Sequence, residues 1–134
     1  MTRLAATLAL LAATTLPALA LPPIAEDARI RETLIAGRVG DVIRKTCPTM
    51  RPRFLVALNE LNALEDHALA KGYTAADLKA LREDDTKTAQ MKAEADAYLA
   101  KAGAVKGEPE TYCRVGRTEI AAGSLTGRLL RSTE

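Results

Sequence analysis

Residues 26–47 read EDARIRETLIAGRVGDVIRKTC and set the helical character of this chain. Apolar side chains recur there at steps of three and four residues, which places them on one face of an α-helix. They are Ile30, Leu34, Ile35, Val39, Val42 and Ile43. The spacing predicts a first helix over residues 26–46. Gly37 and Gly40 lie inside it, each at a cost of about 1 kcal/mol relative to alanine, and we expect close packing there.

A second helix follows with a clear apolar face. It is predicted to begin near Pro52, which suits the first turn of a helix, and to end at Lys71–Gly72, where glycine acts as a stop. The residues of its apolar face are Phe54, Leu58, Leu61, Leu64 and Ala68.

Three further helices complete the predicted fold. The third runs over residues 75–102, after Thr74 as N-cap, with Asp77 completing a capping box. The fourth spans residues 109–122, and a short last helix contains Leu125, Leu129 and Leu130. No alternating strand pattern is present, so the predicted fold class is all-α: a small bundle of four main helices plus a short C-terminal helix.

Asp85 and Thr88 interrupt the apolar side of the third predicted helix. An unbroken helix of this length would be about 40 Å long, and a compact domain of this size is hardly longer. A lone buried carboxylate would also be costly. We therefore expect a bend, an overhang or a polar partner near residues 83–88.

The first twenty residues have the three parts of a secretory signal peptide. The cation Arg3 comes first, an apolar run over residues 4–16 follows, and Ala18–Leu19–Ala20 forms an A-x-A cleavage site. The apolar run is too short to span a bilayer, which needs about twenty residues. We expect a signal peptide over residues 1–20, a single domain over residues 21–134 with no transmembrane span, and a periplasmic or secreted location.

Cys47 and Cys113 are the only cysteines in the chain. An even pair in an exported protein predicts a disulfide, because the compartment is oxidising. A metal or redox pair is the alternative, but there is no C-x-x-C motif and only one histidine. A bridge that closes a loop of this length would stabilise the fold by roughly 4 kcal/mol.

Charge and motifs exclude several classes of function. Removing residues 1–20 takes away one cation and no acid, which leaves a formal charge of +1 and argues against nucleic-acid binding. The single histidine, His67, has no metal-binding neighbour three or four residues away. No serine-nucleophile motif, phosphate-binding loop or calcium loop is present. We therefore expect no catalytic residue, no metal and no cofactor.

Six cations flank the two cysteines, in segments that contain no acid. We call them the basic patch: Arg44, Lys45, Arg51, Arg53, Arg114 and Arg117. A disulfide would bring the two segments together and create an anion-facing surface for lipid headgroups, lipopolysaccharide phosphates or an acidic partner. The alternative interpretation is that these are ordinary solvated cations that point in several directions.

Nearly all of the chain after residue 20 resembles a family of small exported alphaproteobacterial proteins catalogued as a domain of unknown function, most specifically in the segment around Tyr112 and Cys113. The resemblance rests on Ile43–Cys47, Leu69–Thr74, Tyr98–Leu99, Gly103, Pro109, Tyr112–Gly116, Glu119–Ala121, Ser124, Gly127 and Leu129–Arg131. It implies export, the cysteine pairing and a bacterial origin, and it implies no active site.

These observations predict a non-enzymatic exported binding protein. Its partner would be an envelope protein or an anionic envelope component, bound through a helical face or the basic patch. The alternative is a periplasmic stress protein or chaperone. This role is suggested only by analogy with such proteins in size, helicity and the presence of a single disulfide. An enzyme with an unrecognised site ranks last.

Overall fold

The computed structural model describes residues 20–134. The predicted signal peptide therefore lies outside the described residues, except for its last residue. A 3₁₀ turn at Ile24–Glu26 precedes the first helix. The helices are α1 (Ala28–Thr46), α2 (Phe54–Lys71), α3 (Ala75–Glu83), α4 (Asp85–Lys101), α5 (Pro109–Ala122) and α6 (Leu125–Arg128), and the strands are β1 (Met50–Pro52) and β2 (Leu130–Ser132).

The helical fold class is confirmed, but the predicted third helix consists of two helices. The chain leaves the helical conformation at Asp84, whose carboxylate accepts a hydrogen bond of 2.9 Å from the Lys87 amide and so caps α4. An Asp side chain that bonds to the backbone in this way favours a new helix start over helix continuation. Asp85 and Thr88 are exposed. The expected bend is therefore present, and five long helices replace the predicted four.

A small sheet is the feature that the sequence did not predict. β1 pairs antiparallel with β2, with Met50 opposite Ser132, Arg51 opposite Arg131 and Pro52 opposite Leu130. Pro52 was expected in the first turn of the second helix and Leu130 in the last helix, and both assignments are wrong. Three-residue strands are too short to show an alternating pattern, and this pairing depends on contact between distant parts of the chain.

Two separate hydrophobic clusters share α1. The first surrounds the Cys47–Cys113 disulfide and takes Val39 and Ile43 from α1, with Leu99 from α4 and Val115 from α5. The second takes Ile30 from α1 together with Leu64, Ala68, Tyr73 and Leu81. The predicted disulfide is confirmed, with its two Cα atoms 5.1 Å apart. Helix α1 therefore holds both halves of the core together.

The helices of residues 20–134 do not include one that is both long and apolar enough to cross a bilayer.

Candidate functional site

The apolar face of α2 is largely exposed. A face of this kind normally packs on the core, but only Leu64 and Ala68, in the C-terminal half of the helix, are buried. In the N-terminal half, four large apolar side chains have exposed fractions between 53% and 78%. They are Phe54, Leu55, Leu58 and Leu61. A contiguous exposed apolar group of this size is typical of an interaction surface.

Backbone contacts fix the position of this face. The Arg53 amide donates a hydrogen bond of 2.8 Å to the Leu129 carbonyl and so anchors the start of α2 to the C-terminal segment. A mostly apolar groove of about 230 Å³ runs between α1 and α2, lined by Gly37 and Gly40 on one side and by Phe54 and Leu61 on the other. The apolar face of α2 therefore continues into a groove.

Half of the basic patch is ion-paired. Asp41 accepts hydrogen bonds from both Arg44 and Lys45, the latter at 2.6 Å. Burial acts to raise the pKa of Asp41, but the Lys45 hydrogen bond and the charges of both cations outweigh it, so the pKa is lowered. Arg117 binds Glu110 at 2.6 Å and Glu134 at 3.1 Å. Asp41 and Glu110 each lie directly before one of the acid-free segments, and only Glu134 is brought in from a distant part of the sequence.

The other three cations of the patch have no carboxylate partner within residues 20–134. Arg51 donates to the carbonyls of Pro48 and Met50, and Arg114 donates to the carbonyl of Gly103, after α4. The Arg53 guanidinium lies 3.5 Å from the Arg128 carbonyl.

A further arginine joins Arg51 and Arg53, because Arg131 lies opposite Arg51 in the sheet and is exposed. The basic patch predicted from the sequence did not include Arg131, because only the pairing of β1 with β2 brings it close to Arg51. We call these three arginines and the four exposed apolar side chains of α2 the docking surface. Its residues are Arg51, Arg53, Arg131, Phe54, Leu55, Leu58 and Leu61.

A second feature is a hydrogen-bonded trio between α4, α5 and α6. Glu119 is only 7% exposed. Its Oε1 accepts a hydrogen bond from the Tyr98 hydroxyl, and its Oε2 accepts one from the Ser124 hydroxyl. Ser124 in turn accepts a 3.0 Å hydrogen bond from the Gly127 amide and caps α6. This capping role holds the serine hydroxyl in place between a helix end and a carboxylate.

This trio lies in a cleft of about 410 Å³, within the usual range of small-ligand sites. Apolar side chains form most of its walls, among them Ile35, Val39 and Leu125. None of the three residues of the trio was among the site residues predicted from the sequence. One signal was available: Glu119 lies three residues after Gly116 and so falls on the inward side of α5, where a carboxylate is unusual.

Tyr98 should titrate abnormally. The hydrogen bond to Glu119, together with burial and the carboxylate charge, raises the pKa of Tyr98 to about 12. A raised pKa means that this interaction stabilises the fold fully below pH 10, the ordinary tyrosine value, and that the stabilisation is lost as the pH rises through 12. Absorbance titration at 295 nm of the wild type minus Tyr98→Phe should show this midpoint. With Glu119→Gln the midpoint should fall towards 10, and a wild-type midpoint near 10 would contradict the contact.

His67 has a structural partner. Its Nε2 lies 3.0 Å from Oδ1 of Asp27, which caps α1 through the Ile30 amide. Burial acts to raise the pKa of Asp27, but the hydrogen bonds from Ile30 and His67 outweigh it and lower the pKa. Among residues 20–134, no group of three His, Cys, Asp or Glu side chains is arranged to hold a metal ion.

Comparison with known proteins gives one match. A family model described as "Family of unknown function (DUF5333)" matches residues 22–131. The chain belongs to this family. No curated protein and no solved structure matches it. Membership confirms the resemblance to a family of unknown function and supplies no activity, so a function for this protein has to be inferred from the chemistry of its two surfaces.

Proposed function

We propose that this protein is an exported, non-enzymatic binding module, periplasmic or secreted, that docks on an anionic lipid surface of the cell envelope. The observation that supports this proposal is the docking surface, in which four large exposed apolar side chains at the start of α2 follow the arginines in and next to the small sheet, and these three arginines have no carboxylate partner within residues 20–134. Helices that bind membrane interfaces combine Phe and Leu on one face with cations at its border. The family match gives no competing activity.

The apolar side chains should supply most of the binding free energy. Complete burial of a Leu or Phe side chain contributes about 1.5–3 kcal/mol, whereas a cation near an anionic membrane contributes about 1 kcal/mol. Four apolar side chains therefore outweigh three arginines. The arginines should select anionic over neutral lipid and make binding sensitive to salt, because ions screen exposed charges.

Vesicle co-sedimentation tests this proposal with the chain from Leu21 onward. Binding is expected to vesicles that contain phosphatidylglycerol, weakly or not at all to phosphatidylcholine alone, and less at physiological than at low salt. Replacing Phe54 and Leu58 with serine should weaken binding at least tenfold. Reversing Arg51 and Arg53 to glutamate should also weaken binding to anionic vesicles at least tenfold, because each reversal replaces an attraction of about 1 kcal/mol with a repulsion of similar size. Phe54 and Leu58 are exposed, so each serine substitution should change stability by only about 0.5 kcal/mol. Arg51 and Arg53 bond to backbone carbonyls, so the helical content of the charge-reversed variant is checked by circular dichroism.

Leu69→Ser is the matched control. Leu69 lies on the same helix and is about as exposed as Leu58, but it lies eleven residues farther on, about 16 Å along the axis. It should leave vesicle binding unchanged. Equal binding to neutral and anionic vesicles, or no binding to either, would contradict the proposal.

The same exposed apolar face would also suit the alternative function, a periplasmic chaperone. A chaperone would hold unfolded chains and suppress their aggregation regardless of lipid charge. Suppression of client aggregation without vesicle binding, lost in the Phe54 and Leu58 serine variant, would favour the chaperone over the lipid-binding module.

A further inference from the structure

The cleft that contains Glu119 has the features of a small-molecule site. Four helices meet around it, since its lining comes from α1, from Tyr98 in α4, from Glu119 in α5, and from Ser124 and α6. Its volume of about 410 Å³ can hold a small molecule up to the size of a typical drug. None of the seven residues of the docking surface lines it, so the two surfaces are distinct.

We propose that this cleft binds a small primary amine with a short apolar body, with the Glu119 carboxylate as counter-ion. The amine would lie against Glu119 while its hydrocarbon part contacts Ile35, Val39 and Leu125. This ligand class follows from charge, from unused hydrogen-bonding capacity and from the character of the walls.

The charges around the cleft favour a cationic ligand. The ionisable groups that line the cleft, apart from Tyr98, are Arg31, Glu32 and Glu119, so acids outnumber cations. Arg31 is already paired with Glu94, an exposed contact at the rim. Within the described residues, Glu119 has no cation within 4 Å. Buried carboxylates are usually paired with a cation, so a ligand amine would complete the pair.

The Glu119 carboxylate has unused capacity to accept hydrogen bonds. A carboxylate can accept about four hydrogen bonds. Tyr98 and Ser124 supply two, one to each oxygen of Glu119. An ammonium group carries three donors and no acceptor, so it matches the remaining capacity. A carboxylate ligand would instead be repelled, and an alcohol would offer a single uncharged donor.

The walls of the cleft are mainly apolar. Besides the trio, the cleft is lined mainly by aliphatic side chains of α1 and by Leu125 of α6. Such walls favour an alkyl or aryl body through apolar burial. A purely polar cation would leave these walls in contact with water, so the amine should bind more tightly as its chain lengthens within the cleft.

Calorimetric titration with three six-carbon probes tests the inference in the wild-type protein. Hexylamine should bind at least tenfold more tightly than hexan-1-ol, and hexanoate should not bind. In Glu119→Gln, amine and alcohol should bind equally. The matched control Glu110→Gln removes a carboxylate of the same helix α5 that lies outside the cleft lining, and it should preserve the preference. Should Glu119→Gln not fold, the probe series alone still decides.

Two results would overturn the inference: hexylamine binding no more tightly than hexan-1-ol, or no binding of hexylamine at millimolar concentration. In either case Glu119 would serve only to join α4, α5 and α6 through its two hydroxyl partners. The preference should survive the serine substitutions at Phe54 and Leu58, so failure here and failure of the lipid-binding proposal are distinguishable.

Discussion

Replacing Gly127 with alanine is expected to separate α6 from α5 and to destabilise the protein severely. A Cβ atom at position 127 would lie 2.0 Å from the carbonyl oxygen of Glu119 and 2.3 Å from its carbonyl carbon. Both are backbone atoms of α5, so no side-chain rotation relieves the overlap. Overpacking costs about 1–3 kcal/mol where neighbours can adjust. We therefore expect the free energy of unfolding to fall by more than about 3 kcal/mol.

Two other glycines provide matched controls, measured by urea denaturation. Within residues 20–134, no neighbouring atom lies within 4 Å of where a Cβ at position 37 would be, so the close packing expected at Gly37 is absent, and alanine should stabilise the protein by about 1 kcal/mol. At Gly116 a Cβ would lie 2.9 Å from the Met50 methyl group and 3.0 Å from an Ile43 methyl group; both are side-chain atoms, of which only the Met50 end moves easily, so an intermediate loss is expected. A Gly127→Ala protein within about 1 kcal/mol of the wild type would contradict the packing of α6 on α5.

Removing the disulfide should have the next largest effect. Cys47 and Cys113 are 66 residues apart, and a bridge that closes a loop of this length removes roughly 4 kcal/mol of chain entropy from the unfolded state. A domain of this size has a total stability of only about 5–15 kcal/mol. The Cys47→Ala, Cys113→Ala double variant should therefore lose a large share of its stability, and its melting temperature should fall by roughly 10–20 °C.

Three samples test this expectation by thermal and urea denaturation: the oxidised wild type, the reduced wild type and the double variant. The reduced wild type and the variant should both unfold well below the oxidised protein and within about 1 kcal/mol of each other. The two sulfurs lie in the first hydrophobic cluster, so the variant should be slightly the weaker. Oxidised and reduced protein that unfold at the same urea concentration would show that the bridge contributes nothing.

Local signals predicted much of the helical architecture. Glu108–Pro109 and the later Gly123 mark the two ends of α5, and the helix found spans Pro109–Ala122, as expected. The capping box of Thr74 and Asp77 is present at the start of α3. Such signals succeed because cap and stop residues act on backbone groups within one turn of their own position.

The two candidate sites could be predicted from the sequence only in part. The spacing of Phe54, Leu58 and Leu61 shows that they share a face of α2, but it does not show whether another element covers that face. Some ion pairs also join residues that are distant in sequence, because Arg117 pairs with Glu134. Glu119 finds Tyr98 on another helix, 21 residues away.

The sequence by itself indicated most of the helices, an irregularity near residues 83–88 and the covalent link between the end of α1 and α5, because periodicity, capping chemistry and an even cysteine count are local or compositional properties. Only the tertiary structure decided that the N-terminal half of α2 lies exposed beside Arg131, and that a carboxylate shares a cleft with two hydroxyls. These arrangements depend on which elements pack together, and packing is a property of the whole chain.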